Sequence, residues 1–375
     1  MWAGMPLLPQ EALDRYDVDE VLTTDELKSG RPLATMLRKP QTTILLIKDR
    51  ADLALFHSEA IRNLHPILDF AWARQAIEAC RVVKDAHEIA LIRHANVVSS
   101  HAHARVLAAV ARATNERELH ALFVMHCHAN GCKEQAYGCV CASGANASTL
   151  HYVHNDMPLG GRLNLLIDAG CEYNCYCSDI TRSFPLNGTF TTESAAIYAL
   201  VLRMQTLCMG MIKAGVMWED VHMAAHSVAA EGLRDLGILH RNLTTSQILE
   251  SKITTRFFPH GLGHYLGMDT HDVGGNADYA DPNEFFAYLR IRGRLPAGAV
   301  VTNEPGIYFR KYPMERELED GKWDGIVDQG VLARYWAVGG VRIEDDVWVK
   351  EDGCENLTTV KSGVEYIEAA VKAGA

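Results

Sequence analysis

Apolar residues recur at helical spacing in the segment that follows residue 85. The apolar positions, three or four residues apart, are Leu91, Ala95, Val98, Ala102 and Val106. This is the spacing of one face of an α-helix. Asp85 followed by Glu88 resembles a capping box, in which each side chain satisfies a backbone N–H at the start of a helix. The pattern predicts a long helix that begins near residue 85, and we place a domain boundary just before it.

Three further helices are predicted, each ending near a glycine that suits a helix C-cap; they cover residues 116–131, 192–215 and 219–237. Strand-like runs lie at about 163–169, 175–184, 299–304 and 340–349. Helices and strands therefore come in blocks, whereas a doubly wound sheet alternates them strictly. This order favours an α+β fold.

The first 84 residues differ in pattern from the rest of the chain. Short apolar runs at 42–47 and 77–83 lie between helix-like stretches, which predicts a small α/β unit. The unit looks too short to be self-contained. We therefore expect two domains, an N-terminal α/β domain over residues 1–84 and a larger domain over residues 85–375.

Charge and composition narrow the classes of function. The chain has 375 residues with a formal net charge of −11, whereas nucleic-acid-binding proteins need clustered basic residues, so we expect no nucleic-acid partner. We identify no apolar run long enough to span a bilayer and no secretory signal pattern. A protein of the cytoplasm with no membrane partner is expected. The ten cysteines form no paired C-x-x-C pattern, and we expect them to be reduced.

Two aspartates border a predicted β-hairpin. Asp168 ends one strand-like run and Asp179 lies in the next, with turn residues 170–174 between them. With the turn centred between residues 173 and 174, the carboxylates face each other, with Cβ atoms about 5 Å apart. Like charges so placed need a cation or a shared proton. A solvated hairpin face in another register is the alternative.

Two more acids lie in strand-like runs, and a histidine cluster lies between the runs in sequence. Glu304 closes one run, and Glu344 lies in another, where Arg342 shares its face. The glycine-rich stretch 257–275 carries three histidines, which are His260, His264 and His271. It lacks the Glu of the zinc-binding H-E-x-x-H helix. Strand-borne acids with histidines predict a site for a hard cation such as Mn²⁺, Co²⁺ or Mg²⁺; packed histidine rings are the alternative.

Four motifs then resemble a known family. They are "DAG" with "SDITRSFP", "HGLGHYLGMDTHDVGG", "NEPGIYF" and "GGVRIEDD", in this order along the chain. They are similar to motifs of the pita-bread dinuclear metallopeptidases, the group of methionine aminopeptidase, aminopeptidase P and prolidase. The resemblance covers residues 85–365 and implies a pita-bread (creatinase/aminopeptidase) catalytic domain. It also implies two divalent ions, expected to be Mn²⁺, on five ligands: Asp168, Asp179, His264, Glu304 and Glu344.

The resemblance further implies roles for individual residues. A hydroxide that bridges the two ions attacks the peptide bond, and Glu304 passes the proton to the leaving nitrogen. The other residues implied in catalysis are His260, His271 and Arg342. The implied substrate contacts are Tyr137, His151, His260, His271 and Arg290. From the strand pattern, Thr181 shares a face with Asp179 and is expected to hydrogen-bond a ligand carboxylate, while the pairs His126/His128 and His222/His226 are expected to pack or to lie on the surface.

Arg290 decides the expected branch of the family. It lies fourteen residues before Glu304, where prolidases resemble one another in carrying an arginine that binds the free carboxylate of a dipeptide. The expected function is therefore Xaa-Pro dipeptidase (prolidase), acting on small peptides, as a homodimer if the short N-terminal domain permits. Full-length prolidases have a longer N-terminal domain than the one expected here. The alternatives are aminopeptidase P, a non-catalytic pita-bread binding module and, for Arg290 itself, a surface arginine.

Overall fold

The computed structural model describes residues 5–37, 42–50, 53, 56 and 59–374. The chain forms two compact units, Met1–Ala79 and Cys80–Ala375. The second unit thus begins a few residues before the boundary that we placed at residue 85. Residues 1–4, where the expected shortened domain begins, lie outside the described residues.

The N-terminal unit contains short helices and a pair of parallel strands. In chain order its elements are α1 (Pro9–Arg15), α2 (Thr24–Lys28), α3 (Arg31–Leu37), β1 (Thr43–Leu45), α4 (Glu59–Arg62) and β2 (Ile67–Asp69). β1 pairs with β2 in parallel, with Thr43 opposite Ile67. The apolar run 77–83, which we expected between helices, belongs mostly to helix α5 (Trp72–Val82).

The predicted long helices are all present in the larger unit. The first is α6 (Ala86–Ala109), capped by Asp85, whose Oδ1 accepts from the backbone N–H groups of His87 at 2.8 Å and Glu88 at 2.9 Å. The Glu88 carboxylate accepts from the Asp85 N–H in return, which confirms the capping box. The remaining helices are α7 (Glu116–Ala129), α8 (Thr192–Met211), α9 (Trp218–Asp235), α10 (Thr245–Ser251), α11 (Thr254–Phe257), α12 (Lys311–Glu319), α13 (Gln329–Leu332) and α14 (Val364–Gly374).

The strands of the larger unit form small antiparallel sheets. They are β3 (Glu134–Gln135), β4 (Val140–Ser143), β5 (Asn164–Asp168), β6 (Cys171–Tyr173), β7 (Tyr176–Cys177), β8 (Thr181–Pro185), β9 (Val300–Asn303), β10 (Gly306–Tyr308), β11 (Gly340–Arg342), β12 (Asp345–Lys350) and β13 (Gly353–Asn356). Their orders within the sheets are β4-β5-β8, β3-β6-β7, β13-β12-β9 and β10-β11. Blocks of strands alternate with blocks of helices, so the predicted α+β class is confirmed.

The predicted hairpin exists, but its predicted register is wrong. Asp168 lies opposite Thr181 in the β5/β8 pair, and not opposite Asp179. The turn is centred on Asn174 and Cys175, both with positive φ, at 47° and 68°, as in the two-residue turns that suit the twist of a hairpin. The register is therefore shifted by two positions. Because side chains on a strand alternate with a period of two, the shift leaves the carboxylates on the predicted face.

α8 and α9 pack together in the core. α8 buries Val201 and Met204, and α9 buries Val221 and Ala225. By length and apolarity alone α8 could cross a membrane, with a mean hydropathy of 1.2, so our expectation that no run is long enough was wrong. Core helices pass the same test, and the contacts of α8 are those of a core helix.

Candidate metal centre and active site

The five side chains that the family resemblance implies as ligands all line one cavity of about 590 Å³ in the larger unit. Asp168 ends β5, and Asp179 lies just before β8. Glu304 follows β9, and Glu344 lies between β11 and β12. His264 comes from the irregular segment between α11 and β9. Residues from distant parts of the chain therefore meet in a single cavity.

Three of these side chains form a tight, buried group. The ligand atoms of Asp179, His264 and Glu344 all lie within 4.8 Å of one another. His264 Nε2 lies 3.4 Å from Asp179 Oδ2 and 3.5 Å from Glu304 Oε1. Asp168 joins the group through Tyr137, whose hydroxyl lies 2.6 Å from one oxygen of Asp168 and 2.6 Å from one of Asp179. A phenol has one proton, so it can satisfy only one of the two carboxylates.

The orientation of the His264 ring suits a metal ligand. Its Nδ1 lies 2.9 Å from the carbonyl oxygen of Tyr265, which can only accept, so Nδ1 carries the proton. Burial lowers the pKa of His264, and a neutral ring then has a lone pair on Nε2. That lone pair points among carboxylate oxygens, an arrangement that is repulsive until a cation lies between them.

The raised pKa values of the acidic side chains also indicate a site for a cation. Burial, followed by repulsion from Asp168, raises the pKa of Asp179 well above its usual value. Burial, followed by repulsion from Asp179, also raises the pKa of Glu344 well above its usual value. Burial raises the pKa of Glu304 to about 7. These carboxylates cannot all be ionised at neutral pH without positive charge among them. Oxygen ligands with one imidazole suit hard or borderline divalent cations, so the residues fit the predicted metal centre.

A network of buried hydrogen bonds holds the carboxylates of Asp168 and Glu344 in place. Arg342 donates to Asp168 Oδ2 at 2.5 Å, to the Tyr308 hydroxyl at 2.7 Å and to Thr181 Oγ1 at 2.9 Å. Thr181 donates to Glu344 Oε2 at 2.6 Å, so the hydrogen bond expected for Thr181 is confirmed. The network is buried, and each long side chain is held at more than one point. This preorganises the carboxylates before any ion or substrate binds.

Tyr308 is a site residue that the sequence reasoning missed. Its hydroxyl accepts from Arg342 and therefore donates to His260 Nε2 at 2.8 Å. His260 Nδ1 carries the remaining proton, which it donates to the carbonyl of Gly261 at 2.8 Å. The only available signal was its position in the motif "NEPGIYF", four residues after Glu304. Nothing in a single sequence indicates that it lies between a histidine and an arginine.

Close backbone approach at Gly263 brings His264 to the site. A Cβ atom at Gly263 would lie 2.0 Å from the carbonyl oxygen of Thr302 in β9. The adjacent backbones are joined by two hydrogen bonds, from Thr302 N to His264 O and from Glu304 N to Leu262 O, each 2.9 Å. Only glycine permits this spacing. The glycines of "HGLGH" therefore place the imidazole and the Glu304 carboxylate side by side.

The remaining predicted residues also line the cavity. The ring centroid of His271 lies 4.4 Å from that of His264, edge to face. Burial in the cavity and the neighbouring His264 lower the pKa of His271. His151 is exposed on another part of the wall. Arg290 also lines the cavity and donates to the Tyr279 hydroxyl at 3.1 Å. All predicted site residues thus line the same cavity.

Two buried groups behind the acids were also missed. Asp346 Oδ2 accepts from the backbone N–H of Asp179 at 2.9 Å and from Asn96 Nδ2 of α6 at 2.8 Å. Arg182 pairs with Asp345 at 2.7 Å and donates to the Glu344 carbonyl at 2.8 Å. The two aspartates follow Glu344 directly in sequence. The available signal in the sequence was the position of these two acids directly after Glu344, a predicted metal ligand.

The histidine pair of α9 has a packing role, as expected. His222 and His226 are buried at 0% and 1% exposure, and their ring centroids are 4.6 Å apart. His222 Nε2 lies 2.8 Å from the carbonyl of Phe285, and His226 packs edge to face on the Phe285 ring. Neither belongs to the group of ligand atoms described above.

Comparisons with known proteins agree with this geometry. The sequence model of metallopeptidase family M24 matches residues 90–351. The chain is 50% identical over 371 residues to the probable Xaa-Pro aminopeptidase pepP of Botryotinia fuckeliana, covering 99% of this chain and 78% of the relative. It is 48% identical over 375 residues to the probable Xaa-Pro aminopeptidase PEPP of Phaeosphaeria nodorum, covering 100% of this chain and 79% of that relative.

Solved structures are similar over the whole chain. Aminopeptidase PepP of Pseudomonas aeruginosa superimposes with a TM-score of 0.81 at 31% identity, covering 100% of this chain and 80% of the other. Aminopeptidase P of Escherichia coli with the inhibitor Pro-Leu gives a TM-score of 0.81 at 29% identity, with the same two coverages, 100% and 80%.

Proposed function

Because this chain belongs to metallopeptidase family M24, we propose that it is an Xaa-Pro aminopeptidase, which releases the N-terminal residue from peptides with proline in second position. The observation that carries this proposal is the convergence of four carboxylates and one imidazole in a single cavity. The names of the relatives support the aminopeptidase better than the dipeptidase that we expected from Arg290. Dipeptidase activity is therefore the second candidate, favoured only by the presence of Arg290 in the cavity.

The residues proposed to hold the metal ions are Asp168, Asp179, His264, Glu304 and Glu344. Two divalent cations bound there would polarise the carbonyl of a peptide bond and lower the pKa of a water molecule enough to make it a nucleophile at neutral pH. Manganese is the proposed ion, since a carboxylate-rich set with one imidazole suits it. The predicted homodimer and the predicted cytoplasmic location stay predictions.

Glu304 is the proposed proton carrier. Its Oε1 lies 3.5 Å from His264 Nε2, and its Oε2 lies 3.8 Å from His260 Nδ1, so Oε2 is the oxygen on the side of His260. We propose that Oε2 takes a proton from the attacking water and delivers it to the proline nitrogen as the C–N bond breaks. That nitrogen has no N–H of its own in an Xaa-Pro bond. A carboxylate held beside the attacking water can act first as the general base and then as the general acid.

The two flanking histidines are proposed to bind the substrate as neutral rings. Burial, followed by the charge of Arg342, lowers the pKa of His260 to about 3, and the pKa of His271 is lowered as well. A neutral imidazole at His271 can donate to a carbonyl oxygen without adding a competing charge beside the metal ligands. Both ring nitrogens of His260 are already engaged by Tyr308 and Gly261, so His260 is proposed to contact the substrate as an uncharged part of the cavity wall. Arg342, which the family resemblance implies in catalysis, is proposed to act as a positioning residue, since it donates to Asp168, Tyr308 and Thr181.

The test compares substrates of different length. The purified chain is loaded with Mn²⁺ and assayed on the tripeptide Ala-Pro-Ala and on the dipeptides Ala-Pro and Gly-Pro, with Glu344→Ala as the inactive control. Preferred cleavage of the tripeptide, abolished by a chelator and restored by added metal, is the expected result. Cleavage of dipeptides alone would move the assignment to prolidase. A protein that binds no metal and cleaves nothing would support the non-catalytic binding module instead.

A further inference from the structure

One wall of the cavity is an irregular segment between β4 and β5. It begins in a short 3₁₀ helix (Gly144–Ser148) and contributes Leu150, His151 and Val153 to the cavity lining. Val153 is 58% exposed and His151 is also exposed. Leu150 packs against a small apolar cluster, but burial of apolar surface holds the exposed side chains of His151 and Val153 only weakly. Something else must fix the position of this wall.

A single buried carboxylate binds both ends of the segment. Glu116, the first residue of α7, is 0% exposed. Its Oε1 accepts from Ser143 N at 2.8 Å, Ser143 Oγ at 2.6 Å and Asn146 Nδ2 at 3.2 Å. Its Oε2 accepts from the Tyr152 hydroxyl at 2.8 Å and Met157 N at 3.1 Å. The carboxylate thus joins residues that are up to fourteen positions apart in the chain to the start of a rigid helix.

The charge on Glu116 is stabilised by hydrogen bonds and not by an ion pair. Among the residues that the structure describes, no Lys or Arg forms a salt bridge with it. Burial alone would raise the pKa of Glu116, but donors from Ser143, Met157 and Tyr152 outweigh burial and hold that pKa below its usual value. The N-terminus of α7 adds a favourable field. The carboxylate therefore stays ionised at neutral pH, when it is the strongest acceptor.

The segment alternates between anchors and cavity-facing side chains. Tyr152 and Asn155 are buried, at 8% and 4% exposure. Asn155, at φ 49°, accepts from Cys141 N at 2.7 Å and donates to the Cys139 carbonyl at 2.8 Å. His151 directly precedes the anchor Tyr152, and Val153 directly follows it. The backbone positions of His151 and Val153 are consequently set by the neighbouring anchors.

Glu116 lies away from the metal centre. Its partner Ser143 pairs with Leu165, whereas Val140, at the other end of β4, pairs with Asp168. Three residues along a strand correspond to about 10 Å. Loss of the Glu116 carboxylate should therefore move the cavity wall and leave the metal-binding acids in place.

We propose that Glu116 is a positioning residue for substrate binding, which holds the wall that carries His151 against the cavity. The proposal rests on the proposed function, since the wall matters to catalysis only if a peptide occupies this cavity. The consequence is a specific kinetic signature: the KM for an Xaa-Pro peptide depends on Glu116, while kcat does not.

The main test is Glu116→Gln, which keeps the size of the side chain but replaces one acceptor oxygen by an N–H donor. The KM for Ala-Pro-Ala is expected to rise about tenfold, the scale of one or two lost hydrogen bonds to a charged group, with kcat within about threefold of wild type. Backbone hydrogen exchange should increase over residues 144–157, and bound metal should be unchanged. Glu118→Gln is the matched control, because Glu118 lies on the same helix and is exposed.

A second variant, Tyr152→Phe, removes a single hydroxyl and decides the question if Glu116→Gln does not fold. A smaller KM increase of about threefold, with kcat retained, is expected from one lost hydrogen bond. If the folded variants show an unchanged KM, with or without a fall in kcat, the positioning role of Glu116 is overturned. The proposed function still stands in that case, provided that the wild-type protein cleaves the peptide. If the metal-loaded wild type cleaves no Xaa-Pro peptide, the proposed function and this role both fail.

Discussion

Gly263→Ala tests whether close backbone contact positions the metal-binding histidine. The added Cβ would lie 2.0 Å from the Thr302 carbonyl oxygen, whereas real Cβ atoms essentially never come closer than 3.0 Å to such neighbours. The two backbones must therefore separate by about 1 Å, because a packed interior transmits such a displacement and does not absorb it. The separation acts on the hydrogen bonds that hold His264 beside Glu304.

The expected cost is large for activity and moderate for stability. A displacement of about 1 Å in a catalytic arrangement costs on the order of 10²-fold in rate. Overpacking of a buried position costs about 1–3 kcal/mol in the free energy of unfolding. We therefore expect Gly263→Ala to fold, to bind metal more weakly, and to lose about 10²-fold in kcat/KM for Ala-Pro-Ala.

The assay pairs this variant with the same substitution at a permissive position. Gly210 lies in α8, is exposed, and a Cβ there meets no atom within 4 Å. Gly210→Ala should keep full activity and raise the free energy of unfolding by up to about 1 kcal/mol, because glycine is a poor helix former. Denaturant unfolding, metal content and kcat/KM are measured for both. Wild-type kcat/KM and metal affinity in Gly263→Ala would refute the reasoning.

Three further outcomes are expected. Arg182→Met should lower the free energy of unfolding by about 3 kcal/mol, measured by urea titration. The substitution leaves the buried Asp345 carboxylate without its arginine partner. Burial lowers the pKa of His222 to about 4 against 6.5 for an unfolded histidine, so its contribution to stability is complete above pH 6.5 and is lost as the pH falls toward 4. His222→Gln, which keeps a donor to the Phe285 carbonyl, should flatten the dependence of unfolding free energy on pH in that window by up to about 1.4 kcal/mol per pH unit. Arg290→Gln should raise the KM for Ala-Pro about tenfold and leave that for Ala-Pro-Ala-amide unchanged if Arg290 binds a carboxylate; equal effects on both peptides would exclude that role.

The candidate site was predictable where a residue stands in a local motif. The family resemblance assigned the five metal-binding residues by their motifs, and all of them line one cavity. Thr181 was found because strand periodicity places it on the same face as Asp179, and its hydroxyl does bind Glu344. The fold class was predictable for a similar reason: helices and strands each leave a periodic pattern in the sequence, and the pita-bread fold followed from the motifs.

Only the tertiary structure decided which groups meet across the chain. The hairpin register depended on a turn at Asn174 and Cys175, whose positive φ values no hydrophobic pattern indicates. Tyr308 lies between Arg342 and His260, and Asp346 binds the backbone of Asp179, 167 positions away. Local sequence fixes periodicity and turn chemistry, because these act between near neighbours. Buried polar contacts between distant segments arise only when the folded backbone brings the partners within hydrogen-bond distance.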